Sequence, residues 1–144
     1  MITLELAKQL QAAGLVWEAG VNDFFAIPDR GMDERLFVVA DMLASLDVFR
    51  GWPVVTFHGT AEWSLDYILT MEVVWMPRED QLRGQLMDLL QDEPDPRLQL
   101  ALHADRYRCT IQYSGAGHVF EAADASDAYG LALLHILQRR FSHE

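Results

Sequence analysis

The chain has 144 residues, 51% of them hydrophobic and 23% charged, which is long enough for one domain with a core of its own. No apolar run approaches the ~18 residues of a transmembrane helix, no N-terminal segment resembles a signal peptide, and the single Cys109 excludes an internal disulfide, so the sequence predicts a cytoplasmic protein. The formal net charge of -11 argues against nucleic acid and anionic membrane surfaces as partners.

The N-terminal part of the chain predicts one helix followed by short strands. Apolar residues at helical spacing over residues 4–13 predict a helix that Thr3 caps and Gly14 terminates. Three extended segments are expected next, over residues 24–27, 36–49 and 53–57. The pair Arg50-Gly51 indicates a turn, so the last two segments are expected to form a hairpin.

The middle of the chain predicts two more helices. Thr60 is a suitable N-cap for a helix over about residues 61–70, and Val73-Val74-Trp75 predicts a short strand or extended link. A further helix over residues 77–90 begins with a proline, whose missing N–H costs nothing at the first helical position. Glu79 is expected to provide half of a capping box at its start.

The C-terminal third predicts an antiparallel meander and a last helix. After the rigid acidic connector at residues 92–96, apolar and polar residues alternate in three segments, over residues 98–103, 106–113 and 118–122. A helix over about residues 125–139, capped by Asp124 or Ser126, follows. These patterns predict a single α+β domain over residues 1–144, with antiparallel sheets, including a C-terminal three-stranded meander, packed against about four helices.

The segment from His58 to Asp66 holds the candidate site. His58, Glu62 and Asp66 are spaced i, i+4 and i+8, so on one continuous helix they would line up as potential metal ligands. Thr60 indicates instead a helix that begins after His58, and the helix dipole already explains Glu62 near that start. The like-charge pair Glu62 and Asp66 favours a nearby cation, for which Arg78 is the candidate in a structural ion pair. The sequence therefore predicts a binding site without catalytic residues, metal or cofactor, made up of His58, Glu62, Trp63, Asp66 and Arg78.

The remaining reactive side chains show no pattern of ligands or nucleophiles. Cys109 lies on the apolar side of its strand with no cation on that face, which predicts a small buried hydrophobe. Arg106 and Arg108 lie on the opposite face, where they are expected to pair with the acidic half of the chain, residues 1–96, or to contact an anionic partner. Three other histidines show no ligand spacing: His103, His118 and His135. No hydrolase, zinc-protease, Cys-x-x-Cys or dinucleotide motif occurs.

Two segments carry a resemblance to other proteins. The patterns FxGTxEWxLD at residues 57–66 and WxPREDQL at residues 75–82 resemble a group of small uncharacterised bacterial proteins of actinobacterial type, sometimes automatically labelled pilus-assembly proteins. The resemblance covers most of the chain, from the first helix to residues 129–134, and implies no particular chemistry. The group has asparagine where this chain has His58, so the resemblance assigns no role to that histidine.

The distribution of charge suggests what the protein binds. Residues 1–96 carry 17 acidic and 6 basic side chains, whereas residues 97–144 carry 5 of each. We therefore expect a non-catalytic acidic binding or regulatory module with a protein partner, one that carries basic groups. The alternatives are a small metal-dependent hydrolase that uses Glu62 and Asp66, and a structural subunit of a larger assembly; a homo-oligomer is left open.

Overall fold

A computed structural model gives the architecture of the chain and describes residues 1–28, 35–39, 44–57, 67–69 and 72–141. The described residues form an α+β fold, as the sequence predicts. The helices are α1 (Leu4–Ala12), α2 (Glu79–Leu90) and α3 (Ala125–Phe141). The strands are β1 (Phe24–Ala26), β2 (Phe37–Val38), β3 (Ala44–Phe49), β4 (Trp52–Phe57), β5 (Tyr67–Leu69), β6 (Val74–Met76), β7 (Leu98–His103), β8 (Arg106–Tyr113) and β9 (Ala116–Ala122). No helix within the described ranges is long and apolar enough to cross a membrane.

The chain divides into two compact units. Unit 1 comprises Met1–Leu15 and Pro77–Glu144, and unit 2 comprises Val16–Met76. The expectation of a single domain over residues 1–144 stays a prediction.

The sheet of unit 1 is the predicted C-terminal meander. Its strands are antiparallel and lie in the order β7-β8-β9. Because side chains alternate between the two faces of a strand, Cys109 and Ile111 of β8 share a face with His118 and Phe120 of β9. That face is covered by α3, and Cys109 and Ile111 are almost fully buried there.

Helix α3 is the centre of unit 1 and contacts both other helices as well as the sheet. It begins where Asp124 accepts a hydrogen bond from the Ser126 N–H at 2.8 Å. Of the two predicted N-cap residues, Asp124 and Ser126, it is therefore Asp124 that caps the helix. Helix α1 approaches α3 closely at Gly130, where a Cβ atom would lie 2.8 Å from a methyl carbon of Leu6. A side chain at position 130 would therefore push the two helices apart.

Helix α2 begins two residues later than the sequence predicts. Strand β6 runs to Met76, and Arg78 has an extended backbone with φ -72° and ψ 163°, so the first helical residue is Glu79. The capping role expected of Glu79 belongs to Gln81, whose Oε1 accepts a hydrogen bond from the Arg78 N–H at 3.0 Å. The reason is geometric, because Gln81 lies three residues after the true N-cap.

Unit 2 contains two three-stranded antiparallel sheets, in the orders β2-β1-β6 and β3-β4-β5. The predicted hairpin is confirmed by the pairing of β3 with β4. Its two-residue turn places Arg50 at φ 53° and Gly51 at φ 83°, the left-handed values that suit the twist of a hairpin.

Strand β5 shows that the prediction of a helix over residues 61–70 is wrong at residues 67–69, the only part of that range that the structure describes. Its residues Tyr67–Leu69 pair with β4, whereas residues 61–66 lie outside the described part of the chain. Aromatic and β-branched residues favour strands, and the backbone of β4 offers these three residues hydrogen bonds that a helix end would not. Tertiary pairing therefore outweighs the helical spacing of this segment.

The core of unit 2 is aromatic. Phe25, on the central strand β1, is fully buried, and its ring lies 5.7 Å from that of Trp17 and 5.4 Å from that of Phe37, measured between centroids. Ile27, Val39 and Val73 complete the cluster. Trp75 on β6 is buried as well, with 9% of its surface exposed.

Candidate functional site

The structure describes one of the five predicted site residues. His58, Glu62, Trp63 and Asp66 lie outside the described residues, so their grouping with Arg78 stays a prediction. Arg78 is the N-cap residue of α2, and its side chain is 34% exposed. Its Nε donates to Asp80 Oδ1 at 3.2 Å, an exposed ion pair of the kind that contributes little to stability.

The outward side of α2 presents an acidic stripe, which we define as Asp80, Gly84, Met87, Asp88 and Asp92. Leu82, Leu86 and Leu90 are the buried residues of the helix. Helical periodicity places residues 80, 84, 87 and 88 on the opposite side, and Met87 is 57% exposed there. A Cβ at Gly84 would meet nothing within 4 Å, so the stripe has a notch beside Met87.

The charges of the acidic stripe are placed unfavourably for the isolated helix. The last turn of α2 contains no basic residue, although helix C-termini favour cations. Asp88 lies in this last turn, and Asp92 follows in the turn after the helix, so both carboxylates are near the C-terminus of α2. In the connector that follows, Asp95 pairs with Arg97 at 2.9 Å and Glu93 accepts the Ser114 N–H at 3.1 Å. Asp88 and Asp92 have no ion-pair partner in the part of the chain that is described.

The buried thiol is structural. Cys109 is 0% exposed, and burial raises its pKa from 9.0 to about 11. Because the thiolate is the nucleophile and the metal-binding form, this cysteine is inert at neutral pH. The sequence-based expectation of a small buried hydrophobe is confirmed.

The arginines on the open face of the meander do not form an anion site by themselves. Arg108 Nη2 lies 2.7 Å from Glu121 Oε1 on the neighbouring strand, so Arg108 pairs within the meander and not with the described acidic residues of 1–96. Both side chains are about 40% exposed, at 41% and 43%. Arg106 is exposed near the end of the same face. This cross-strand pair neutralises the middle of the open face.

The structure brings together two histidines that sequence reasoning left scattered. The ring centroids of His118 on β9 and His135 on α3 are 4.6 Å apart, with 46° between the ring planes. The Phe120 ring lies 5.4 Å from His135. The Nε2 atom of His135 is buried and has no hydrogen-bond partner. Burial lowers the pKa of His135, and the nearby His118 and Arg139 lower it further. The sequence contained one sign of this contact, because the alternation along β9 places His118 and Phe120 together on its helix-facing side.

A second polar group missed from the sequence is the carboxylate of Asp23 in unit 2. Asp23 is 5% exposed, and its Oδ2 accepts hydrogen bonds from Trp17 Nε1 and from the Gly20 N–H, both at 2.9 Å. A carboxylate this deeply buried is expected to be hydrogen-bonded, and this one ties the loop to the aromatic core. We assign it a structural role. The signal in the sequence was an aspartate three residues after a glycine, which is typical of a turn.

Within the described ranges, no group of three or more histidine, cysteine, aspartate or glutamate side chains is arranged to hold a metal ion. Comparison of the chain with protein-family models, with curated proteins and with solved structures gives no significant match. The resemblance to the small bacterial group therefore stays a prediction, and the surface of the molecule carries the functional argument.

Proposed function

We propose that this protein is a non-catalytic cytoplasmic binding module whose acidic stripe docks a basic segment of a protein partner. The observation that carries this proposal is Met87, which is 57% exposed on α2, next to Asp88 and two helical turns from Asp80. Methionine is flexible and polarizable, and it is enriched at protein interfaces and at binding surfaces that accept varied partners. An exposed methionine beside a glycine notch is therefore suited to an apolar anchor of a partner.

The charges around Met87 favour a basic partner. Asp88 in the last turn of α2 and Asp92 just beyond it place two negative charges near the negative end of the helix dipole, which a lysine or arginine of a partner would offset. The net charge of -11 adds long-range attraction for a basic protein and repulsion of nucleic acid. Such a partner would associate faster at low ionic strength.

The segment His58–Asp66 remains part of the proposal as a second binding region. His58, Glu62, Trp63 and Asp66 carry a tryptophan beside carboxylates, the same combination of an apolar anchor with negative charge. Arg78 is proposed to position the adjoining end of α2 through Asp80. The rival proposal of a small metal-dependent hydrolase depends on Glu62 and Asp66, and no described residue favours it.

Fluorescence anisotropy with two labelled amphipathic peptides tests the proposal. The peptides have identical apolar residues, but one carries lysines and arginines and the other carries glutamates. We expect the basic peptide to bind and the acidic one not to bind, with affinity falling as salt is raised. Met87→Ala and the double variant Asp88→Asn/Asp92→Asn should each weaken binding. Asp105→Asn, in the exposed β7–β8 turn, is the control that removes one charge elsewhere. Equal binding of both peptides, or no effect of the stripe variants, would reject the proposal.

A further inference from the structure

The histidine pair of unit 1 is a polar feature that packing alone leaves incomplete. His118 lies on β9, an edge strand of the meander, and His135 lies on α3 above it, with their ring centroids 4.6 Å apart. Buried imidazole nitrogens are normally hydrogen-bonded, yet the His135 Nε2 has no partner. A group that binds this nitrogen would complete the site.

We propose that His118 and His135 form a binding site for one divalent transition-metal ion of the Ni²⁺ and Cu²⁺ class, with water in the remaining coordination positions. This site is separate from the acidic stripe and does not depend on the proposed partner binding. Imidazole nitrogen suits Ni²⁺ and Cu²⁺ as a ligand. Two protein ligands give a weak site rather than a permanent structural centre.

The spacing of the rings fits one ion and favours this class of metal. A metal–nitrogen distance of about 2.0–2.1 Å places the ion roughly 3.2 Å from each imidazole centroid. Two centroids 4.6 Å apart then subtend an angle of about 90° at the ion. That angle suits neighbouring ligands of a square-planar or octahedral ion, the geometry of Cu²⁺ and Ni²⁺, better than the wider angle of tetrahedral Zn²⁺.

The surroundings keep the imidazoles ready to bind. His118 and His135 are already in ring contact, so little rearrangement is needed to bring both imidazoles to one ion. Phe120 covers one side of the His135 ring, and Cys109 on the same face of β8 is a buried thiol. Arg139, one helical turn beyond His135, repels a cation and limits the affinity.

The pair lies close to the edge of the sheet at β9, although the His135 Nε2 atom itself is buried. Both histidines are only partly buried, and β9 has no further strand beside it in the described sheet. Solvent at this edge supplies the ligands that the protein does not. The site is therefore of the open kind, in which protein and water share the coordination of the ion.

Isothermal titration calorimetry at pH 7.5 tests the proposal. The chelator-treated full-length protein is titrated with Ni²⁺ alone. We expect one ion to bind, and His118→Gln and His135→Gln each to weaken that binding at least tenfold. His103→Gln, on the exposed part of β7, is the matched control and should leave the affinity unchanged. Circular dichroism verifies that the variants are folded. If His135→Gln does not fold, the Ni²⁺ affinity of His118→Gln decides whether the pair binds the ion.

Two further measurements separate this site from adventitious binding. Electron paramagnetic resonance of the Cu²⁺ complex should show coupling to two nitrogens, reduced to one in His118→Gln. The midpoint of thermal unfolding should rise with Ni²⁺ in the wild type, because a ligand of the native state stabilises it by mass action. No Ni²⁺ binding, or binding that survives both histidine substitutions, would overturn the proposal. Tighter binding of Zn²⁺ than of Ni²⁺ would overturn the choice of metal.

Discussion

Unit 1 and unit 2 each place one ionisable side chain against aromatic rings, and they satisfy its polar atoms differently. In unit 2, the Asp23 carboxylate accepts two hydrogen bonds at 2.9 Å and lies 5% exposed beside the cluster of Phe25. In unit 1, the His135 ring contacts His118 and Phe120 but leaves its Nε2 without a partner. A buried group with complete hydrogen bonds belongs to the fold, whereas an incomplete one can respond to a ligand or a proton.

The largest effect on stability is expected when the Phe25 ring at the centre of unit 2 is removed. Phe25→Ala removes a fully buried side chain between two aromatic neighbours, so we expect the free energy of unfolding to fall by ~3–5 kcal/mol. Urea denaturation followed by tryptophan fluorescence measures this loss. The control is Leu36→Ala, which removes a side chain that is 42% exposed and should have a much smaller effect. Equal losses in the two variants would contradict an aromatic core.

The second prediction tests whether Asp23 is structural. Asp23→Ala leaves two partly buried donors without their acceptor, so we expect a loss of about 1–3 kcal/mol. Trp17→Phe keeps an aromatic ring but removes the Nε1 donor. Together with the double variant, the two substitutions form a double-mutant cycle. We expect the two substitutions to be coupled by at least ~0.5 kcal/mol, as residues in one hydrogen-bond network are. Additive losses in urea denaturation would show that this hydrogen bond contributes nothing.

The regular elements of unit 1 could be predicted because each carries a strong periodic signal. The helix-facing residues of the meander alternate, and α1 and α3 lie within a residue or two of their expected bounds. The start of α2 was placed two residues early, because proline is as compatible with an extended residue before the N-cap as with the first helical position. The residue at which a helix begins therefore depends on the local backbone conformation around its N-cap.

The rest depended on contacts that sequence spacing does not encode. Strand β5 has only three residues, too few for a periodic signal, and its pairing with β4 determines its conformation. The contact of His118 with His135 depends on how α3 crosses the sheet. The bonds of Asp23 form within an irregular loop. The candidate site at His58, Glu62, Trp63 and Asp66 lies outside the described residues and stays a prediction.

The third prediction concerns helix packing in unit 1, which relies on close approach rather than on large rings. Gly84→Ala should raise the free energy of unfolding by ~0.5–1 kcal/mol, because the new Cβ meets nothing and alanine favours the helix. Gly130→Ala gains the same propensity but places a Cβ 2.8 Å from Leu6, so we expect a net loss of about 1 kcal/mol. Chemical denaturation of both variants measures the contrast. Two stabilised variants would mean that α1 moves aside without cost.

The smallest effect is a dependence of stability on pH that belongs to unit 1. The pKa of His135 is lowered from 6.5 in the folded protein by burial, by His118 and by Arg139, so below pH 6.5 the unfolded chain binds the proton more readily than the folded one. The contribution of His135 is therefore complete above pH 6.5 and decreases as the pH falls towards the lowered pKa. His135→Gln cannot titrate, so the difference in unfolding midpoint between wild type and variant should change between pH 7.5 and 5.5.

The carboxylate of Asp124 provides the internal control for this pH effect. Burial raises its pKa, but the Met1 ammonium group 2.9 Å away and the Ser126 N–H outweigh burial and hold the pKa below 3.8. Its contribution is therefore present above pH 3.8 and is lost only in stronger acid, outside the window of His135. Asp124→Asn should leave the profile between pH 7.5 and 5.5 parallel to that of the wild type. If His135→Gln also runs parallel to the wild type, the incomplete His135 imidazole is no more sensitive to protons in this window than the hydrogen-bonded Asp124 carboxylate, and the response expected of an incomplete buried group is absent.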